Sequence, residues 1–294
     1  SFLTNSGAEA IEAGIKFAIA ATGRQKLVAA KRGYHGRTLG ALAATHDAKY
    51  RGPFEPLSPA TTHVAYNDIE ALEAAVDGET AAIILEPIQG EAGVIMPPAG
   101  YLRRVRELCD QHNVLWIDDE IQTGLGRTGR MFAADHEGVR PDMMVIGKAL
   151  SGGFYPVSAV LAQPELLGLF VPGEHGSTFG GNPLGMAVAR AALRVIAEEK
   201  LTENAAQLGE YFMEQLSEIP SAHIKQVRGK GLLIGVELKP SAGGARRFCE
   251  ALMERGILAK ETHQHVIRFA PPLVIDKKTI DWALPLIREV FYLK

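Results

Sequence analysis

Cysteine is nearly absent from this chain: 294 residues carry two, Cys109 and Cys249, far apart and outside any CxxC pair. A disulfide scaffold and a structural zinc site are thereby disfavoured. Two isolated thiols fit a reducing compartment, with the cytoplasm as the expected location, or the mitochondrial matrix in a eukaryotic source. No apolar run approaches the roughly 18 residues a membrane span needs, and no charged-then-apolar leader precedes Ser1. Excess charge of one sign is missing too, since 31 Lys and Arg against 34 Asp and Glu leave a net charge of −3. That balance, without long runs of like charge, argues against nucleic acid or a membrane surface as the main partner and leaves small molecules. An initiator Met is also lacking. The opening Ser1-Phe2-Leu3-Thr4-Asn5-Ser6 reads as a strand end and a helix start, so an upstream segment is expected.

What is present is an apolar content of 47%, enough for a substantial core in one large domain or two. Ala10, Ile11, Gly14, Ile15, Ala18 and Ile19 recur at helical spacing, which predicts a helix from about Ala8 to Ala21 with Asn5 or Ser6 as its N-cap. Apolar runs at Lys26 to Ala30, Ala81 to Leu85, Val114 to Ile117, Met143 to Ile146 and Val157 to Leu161 alternate with helical stretches such as Asp68 to Val76 and Tyr101 to His112. The alternation predicts an α/β fold, a mainly parallel sheet with helices on both faces. Helices at Leu184 to Glu199 and Thr202 to Ile219 follow. From about His223 the pattern becomes two short strands, a helix (Arg246 to Arg255), a strand (Val266 to Phe269) and a last helix (Lys278 to Phe291), a smaller α+β domain. The expected division is a large domain over residues 1–200, then a linker helix and a small C-terminal domain over 201–294.

The chemistry-bearing residues gather at strand ends. Lys148 closes the run 142–147, and a lysine ending a buried strand is costly unless paired, neutralised or converted. Schiff-base chemistry uses such a lysine. Val114 to Ile117 leads into Asp118-Asp119-Glu120, so two adjacent strand ends would carry a lysine and a carboxylate where α/β folds bind ligands. Glu86 falls at a third, opening a loop to Gly93 with two carboxylates and a glutamine; capping accounts for one glutamate more easily than for the cluster.

Other motifs are open to two readings each. Ser6-Gly7-Ala8 suits a phosphate at a helix N-terminus or an ordinary capped helix. Tyr34-His35-Gly36-Arg37-Thr38 could stack on a planar ring and hold an anion, or be a surface loop, and His35 could be a satisfied polar residue. The glycine-rich turn His175 to Pro183 offers N–H groups and the Thr178 hydroxyl to a phosphate, or is a plain loop. Gly124, Gly126 and Gly129 match the dinucleotide fingerprint in letters, but no strand leads straight into them and no clear helix follows, which argues against a nicotinamide site. Thr262-His263-Gln264-His265 reads as a surface turn, and no cluster offers a metal site. Arg268, inside an apolar strand, needs an acidic partner or a carboxylate ligand.

Taken in order and spacing, Asp119-Glu120-Ile121-Gln122-Thr123-Gly124, Gly147 to Gly153 and Gly176 to Leu184 resemble the class III aminotransferases, a branch of the fold-type I pyridoxal-phosphate (PLP) enzymes. The stretches Glu86 to Val94, Gly173 to Gly185, Arg228 to Leu233 and Arg268 to Ile275 look like the branch that acts on ornithine, and the likeness runs over essentially the whole chain. The resemblance implies that Lys148 holds PLP covalently and then moves the proton of the 1,3-shift. It further implies that Asp119 pairs with the ring nitrogen, Gln122 with the 3-oxygen, and that Tyr34 and His35 belong with Ser6, Gly7 and Ala8 to the cofactor site. Ser177 and Thr178 would reach the phosphate of a neighbouring subunit, making a homodimer with shared sites. Arg268 would bind the substrate α-carboxylate and Glu91 would pair with it, so that ornithine presents its terminal amine; with 2-oxoglutarate, Glu91 would swing away and Arg37 would receive the distal carboxylate. The products would be glutamate 5-semialdehyde and glutamate. Acetylornithine or 4-aminobutyrate as donor is the alternative within the family. Because members carry a long segment ahead of the point matching Ser1, a non-catalytic homologue that binds PLP or only dimerises is the alternative outside it.

Overall fold

Local hydrogen bonding starts the chain off. In the computed structural model, which describes residues 1–292, strand β1 (Phe2–Thr4) runs into helix α1 (Gly7–Thr22). The Ser6 hydroxyl accepts from the Glu9 N–H while the Glu9 carboxylate accepts from the Ser6 N–H, a reciprocal cap. Gly23, at φ +69°, ends the helix in the left-handed conformation that glycine tolerates best. The order continues β2 (Lys26–Ala30), α2 (Leu39–Ala44), α3 (Ala48–Arg51), β3 (Ala60–Val64), α4 (Ile69–Ala75), β4 (Thr80–Leu85), α5 (Tyr101–His112) and β5 (Leu115–Asp119). Then come β6 (Met143–Ile146), β7 (Ser158–Ala162), α6 (Pro164–Leu167) and α7 (Pro183–Glu198).

These strands form one seven-stranded sheet in the order β1-β7-β6-β5-β4-β2-β3, parallel from β3 to β6, with β7 antiparallel to both its neighbours. Side chains alternate across it as the pleat requires. Leu27 and Ala29 pack with Ile11, Ile15 and Phe17 of α1 on one face, while Val28 and Ala30 pack with Leu102 and Val105 of α5 on the other. Helices on both faces make this the expected mainly parallel α/β architecture. Strand β1 lies within the opening that reads as a strand end, whereas strand β3 and helix α2 were not foreseen. Strand β3 is an edge strand with exposed and half-buried Thr and His positions, so it lacks the apolar run that marks a central strand.

The chain divides into two compact units, the first comprising Ser1–Pro87, Pro97–Gly124 and Phe132–Val195, the second Ile88–Met96, Leu125–Met131 and the residues from Ile196 on. The second unit contains α8 (Leu201–Ser217), β8 (Ile224–Lys230), β9 (Leu233–Leu238), α9 (Arg246–Glu254), β10 (Lys260–Thr262), β11 (Val266–Phe269) and α10 (Lys277–Val290). Its four strands form an antiparallel sheet ordered β10-β11-β9-β8. Ile234, Val236, Leu238, Ile267 and Phe269 point to one face, where Phe212, Phe248, Leu252 and Ile287 of the helices cover them. The predicted surface turn at Thr262 to His265 is the tip of the β10–β11 hairpin, with His263 at φ +47°. No described helix is long and apolar enough to cross a membrane.

Candidate active site

The carboxyl ends of β4, β5 and β6, the start of α1 and the Tyr34 to Arg37 loop converge in the first unit on a cavity of about 340 Å³. Gly7, Ala8, Tyr34, His35, Arg37, Asp119, Gln122 and Lys148 line it, together with Glu86, read in the sequence as a strand-end carboxylate of a polar loop, and Gly36 and Ile121, which had been given no role of their own. The parallel β5–β6 register sets Asp119 opposite Val145, so Asp119 and Lys148 do sit at adjacent strand ends.

Lys148 differs from expectation in one respect: it is exposed, not buried. Strand β6 stops at Ile146, and at Gly147 the chain turns into a one-turn helix, Lys148–Ser151, that begins with Lys148 at φ +37°. Burial therefore does not mark this lysine. Its position and its left-handed backbone do, since such a conformation in a non-glycine residue is a strain that clusters at functional sites.

Asp119 is buried, with one carboxylate oxygen accepting the Ile121 N–H at 3.1 Å and the other 2.7 Å from His35 Nδ1. That contact assigns the hydrogen on His35 to Nδ1, where it faces the carboxylate. His35 is fixed in turn: its N–H donates to Thr45 Oγ1 at 2.9 Å, and that hydroxyl donates to the Gly36 carbonyl. Glu86, also buried, accepts the Tyr34 N–H at 3.0 Å, while the Tyr66 hydroxyl donates to the carbonyls of Glu86 and Pro87. The guanidinium of Arg37 stacks 4.5 Å over the Tyr50 ring, itself edge-on to Tyr34.

At the start of α1 the reciprocal cap uses the N–H groups of Ser6 and Glu9, and the Asn5 N–H also goes to Glu9. Gly7 and Ala8, whose first-turn N–H groups the cap does not use, line the cavity at the positive end of the helix dipole. Gly7 lets Ile121 pack close to the helix start, since a Cβ there would meet Ile121 Cδ1 at 2.8 Å and push that methyl aside. Ser6 itself is a cap and does not line the cavity. Ser177 and the exposed Thr178 are likewise away from it; Ser177 receives a hydrogen bond from the Asn5 amide at 2.6 Å. Two orphan amides for a phosphate, a buried carboxylate oriented for a protonated ring nitrogen, an aromatic and a primary amine are the groups that PLP needs, so these residues fit it.

Glu91 and Arg268 lie in the second unit. Arg268 Nη1 donates to Glu91 Oε1 at 2.7 Å, and Lys260 Nζ to Oε2 at 2.9 Å. Burial alone would raise the Glu91 carboxyl, but the two cations outweigh it and hold it at about 2. The acidic partner demanded by Arg268 is thus Glu91. Lys260 was missed because its short edge strand, Lys260–Thr262, carries no apolar run and only its last residue fell in the expected turn. The glycines Gly126 and Gly129 serve packing: a Cβ on Gly129 would meet Ala206 of α8 at 2.9 Å, and one on Gly126 would meet Thr202 at 3.2 Å.

A family model, aminotransferase class-III, matches residues 1–291, and the chain belongs to that family of PLP-dependent transaminases. It is 52% identical over 293 residues to an ornithine aminotransferase from an Exiguobacterium species, covering 97% of this chain and 72% of that protein. Among solved structures, the ornithine aminotransferase of Toxoplasma gondii, with partial occupancy of PLP at its active site, superposes with a TM-score of 0.94 at 42% identity over 99% of this chain and 72% of that one. An acetylornithine aminotransferase from Elizabethkingia anophelis gives 0.87 at 43% identity, over 99% and 74%.

Proposed function

We propose that this transaminase takes the δ-amino group of ornithine and gives it to 2-oxoglutarate, producing glutamate 5-semialdehyde and glutamate. The observation that carries the reading is the Glu91–Arg268 pair at 2.7 Å. While Glu91 neutralises Arg268, a substrate α-carboxylate has no receptor there, which favours a donor that enters by its terminal amine. When Glu91 leaves, Arg268 becomes the receptor for the α-carboxylate of a 2-oxo acid, and a bidentate guanidinium suits that group. Bound PLP supplies the electron sink that makes the donor carbon acidic. Lys148 would anchor that cofactor and move the proton, Asp119 with His35 behind it would keep the ring nitrogen protonated, Gln122 would donate to the 3-oxygen, and Tyr34 would stack on the ring. Gly7 and Ala8 would hold the phosphate, with Ser6 securing their helix turn, and Arg37 would receive a distal carboxylate.

Two chains share their sites in this reading, Ser177 and Thr178 of one reaching the cofactor phosphate of the other. The exposure of Phe179 and Leu184, next to that segment, and of Phe154 supports a partner of the same kind. Both thiols are free and buried, which suits a reducing location such as the cytoplasm.

The test is a side-by-side assay of ornithine, acetylornithine and 4-aminobutyrate with 2-oxoglutarate, with Lys148→Ala as control. Ornithine is expected to give the highest kcat/KM, and Lys148→Ala to lose all turnover together with the visible absorbance of bound cofactor. Preference for acetylornithine, the donor suggested by the Elizabethkingia likeness, would overturn the substrate; absorbance unchanged in Lys148→Ala would overturn the lysine.

A further inference from the structure

One face of the small antiparallel sheet carries a row of residues directly opposite one another across all four strands: Arg228 on β8, Gly235 on β9, Arg268 on β11 and Lys260 on β10. Directly opposed residues share a face, and like charges so placed repel. The row therefore needs an anion, and the segment Ile88–Met96 brings one.

That segment is a tight loop closed by paired backbone hydrogen bonds between Gln89 and Ile95. It lies on the row. Gly235 leaves room for it, since a Cβ there would meet Val94 Cβ at 3.0 Å. Arg228 donates to the carbonyls of Gly93 at 2.7 Å and Val94 at 2.9 Å, and pairs with Glu237. Val94 is fully buried at φ +52°, a conformation a β-branched residue adopts only when its surroundings impose it. The loop backbone is thus fixed at one end of the row, and Glu91 is its movable part, with one oxygen on Arg268 and the other on Lys260.

We infer that Lys260 is the second station of the Glu91 gate: when a carboxylate ligand takes Arg268, Glu91 stays paired to Lys260. The inference rests on the proposed role of Arg268 as carboxylate receptor. Without the ammonium, a ligand that displaces Glu91 from Arg268 leaves a half-buried carboxylate with neither of these two cations, and the ligand's affinity bears that cost. A donor that leaves Glu91 on Arg268 bears none. Lys260 therefore tunes the acceptor half of the reaction and not the donor half. Its side chain is 59% exposed, so the effect is moderate and falls with added salt.

The experiment measures binding of glutarate, an unreactive dicarboxylate, to PLP-loaded protein by calorimetry, beside KM values for ornithine and 2-oxoglutarate, in Lys260→Met, Lys260→Arg and Arg268→Ala. In Lys260→Met the glutarate Kd and the 2-oxoglutarate KM are expected to rise about two- to fivefold at low salt, the range an exposed pair sustains, with the ornithine KM unmoved. Lys260→Arg restores both values, and salt erases the difference. Equal values for Lys260→Met and the parent, or an equal rise for both substrates, would overturn the gate. Undiminished glutarate affinity in Arg268→Ala would instead overturn the receptor role on which the inference rests.

Discussion

Glu86 shows how a single buried carboxylate does work that its charge does not advertise. At the carboxyl end of β4 it lines the cavity and accepts the Tyr34 N–H, so it holds the backbone from which Tyr34 presents its ring. A typical hydrogen bond is worth about 0.5–1.5 kcal/mol, and its loss leaves a peptide N–H without an acceptor at a further cost of about 1–3 kcal/mol. Glu86→Ala is accordingly expected to weaken PLP binding by about tenfold, whereas Glu86→Gln, which keeps an acceptor oxygen, stays near the parent. A titration of cofactor absorbance checks this, and equal losses in the two variants would show that Glu86 acts by charge instead. The sequence placed Glu86 at a strand end but gave no sign of its partner, because a contact with Tyr34 spans 52 positions and depends on which strands are neighbours. Lys148 is the complementary lesson. Position alone found it, although the burial invoked to explain it is absent: Gly147 carries the chain off the strand one residue earlier than an apolar run reveals.

At the scale of an element, strand β5 sorts three consecutive acids by its pleat. Asp119 turns to the cavity and His35, while Asp118 turns to the opposite layer, with Trp116, and Glu120, just past the strand, accepts from Thr123 and from the Ala134 N–H. Asp118 is fully buried, and neither of its carboxyl oxygens finds a hydrogen-bond partner. Burial first, then the nearby charges of Glu120, Asp119 and Asp135, push its carboxyl well above the usual range. Burial likewise raises Glu120 to about 7, against the hydrogen bonds it accepts. An acid whose folded value is raised contributes stability at pH below its unfolded value and loses that contribution as pH rises through its folded value. Stability should therefore fall from pH 5 to pH 8, and Asp118→Leu should be more stable than the parent by about 1–3 kcal/mol at pH 8, with the gain shrinking toward pH 5. Thermal melts at the two pH values decide it; a gain independent of pH would mean that Asp118 carries the same charge folded and unfolded across that range. The alternation that separates Asp118 from Asp119 is readable in any strand, and the apolar runs located the central strands of both sheets closely. Strands β3 and β10 were not readable for the same physical reason: they lie at sheet edges, where one side faces solvent and polar residues replace the apolar run.

At the scale of the whole molecule, the proposed sharing of sites between two chains would leave the site of one chain incomplete on its own. The residues facing the cavity include no hydroxyl donor from the glycine-rich turn, and Ser177 is engaged by Asn5 of its own chain while Thr178 stands exposed. Phe154 and the adjoining Phe179, 90% and 65% exposed, are larger apolar surfaces than a solvated loop needs. If a second copy covers them and brings Thr178 to the neighbouring phosphate, two different defects must complement each other. Lys148→Ala removes the lysine of one site, and Thr178→Asp sets a carboxylate against the phosphate of the other chain's site. In a mixed dimer one site collects both defects and the other collects neither, so two inactive proteins, unfolded and refolded together, should recover activity, up to one working site in each mixed dimer. Each variant refolded alone should recover none. If instead each chain completes its own site, every mixed dimer carries one defect per site and the mixture stays inactive. Recovery in the mixture is thus a direct measure of whether Thr178 acts across the dimer, and its magnitude reports the fraction of mixed dimers without reference to the identity of the amino donor.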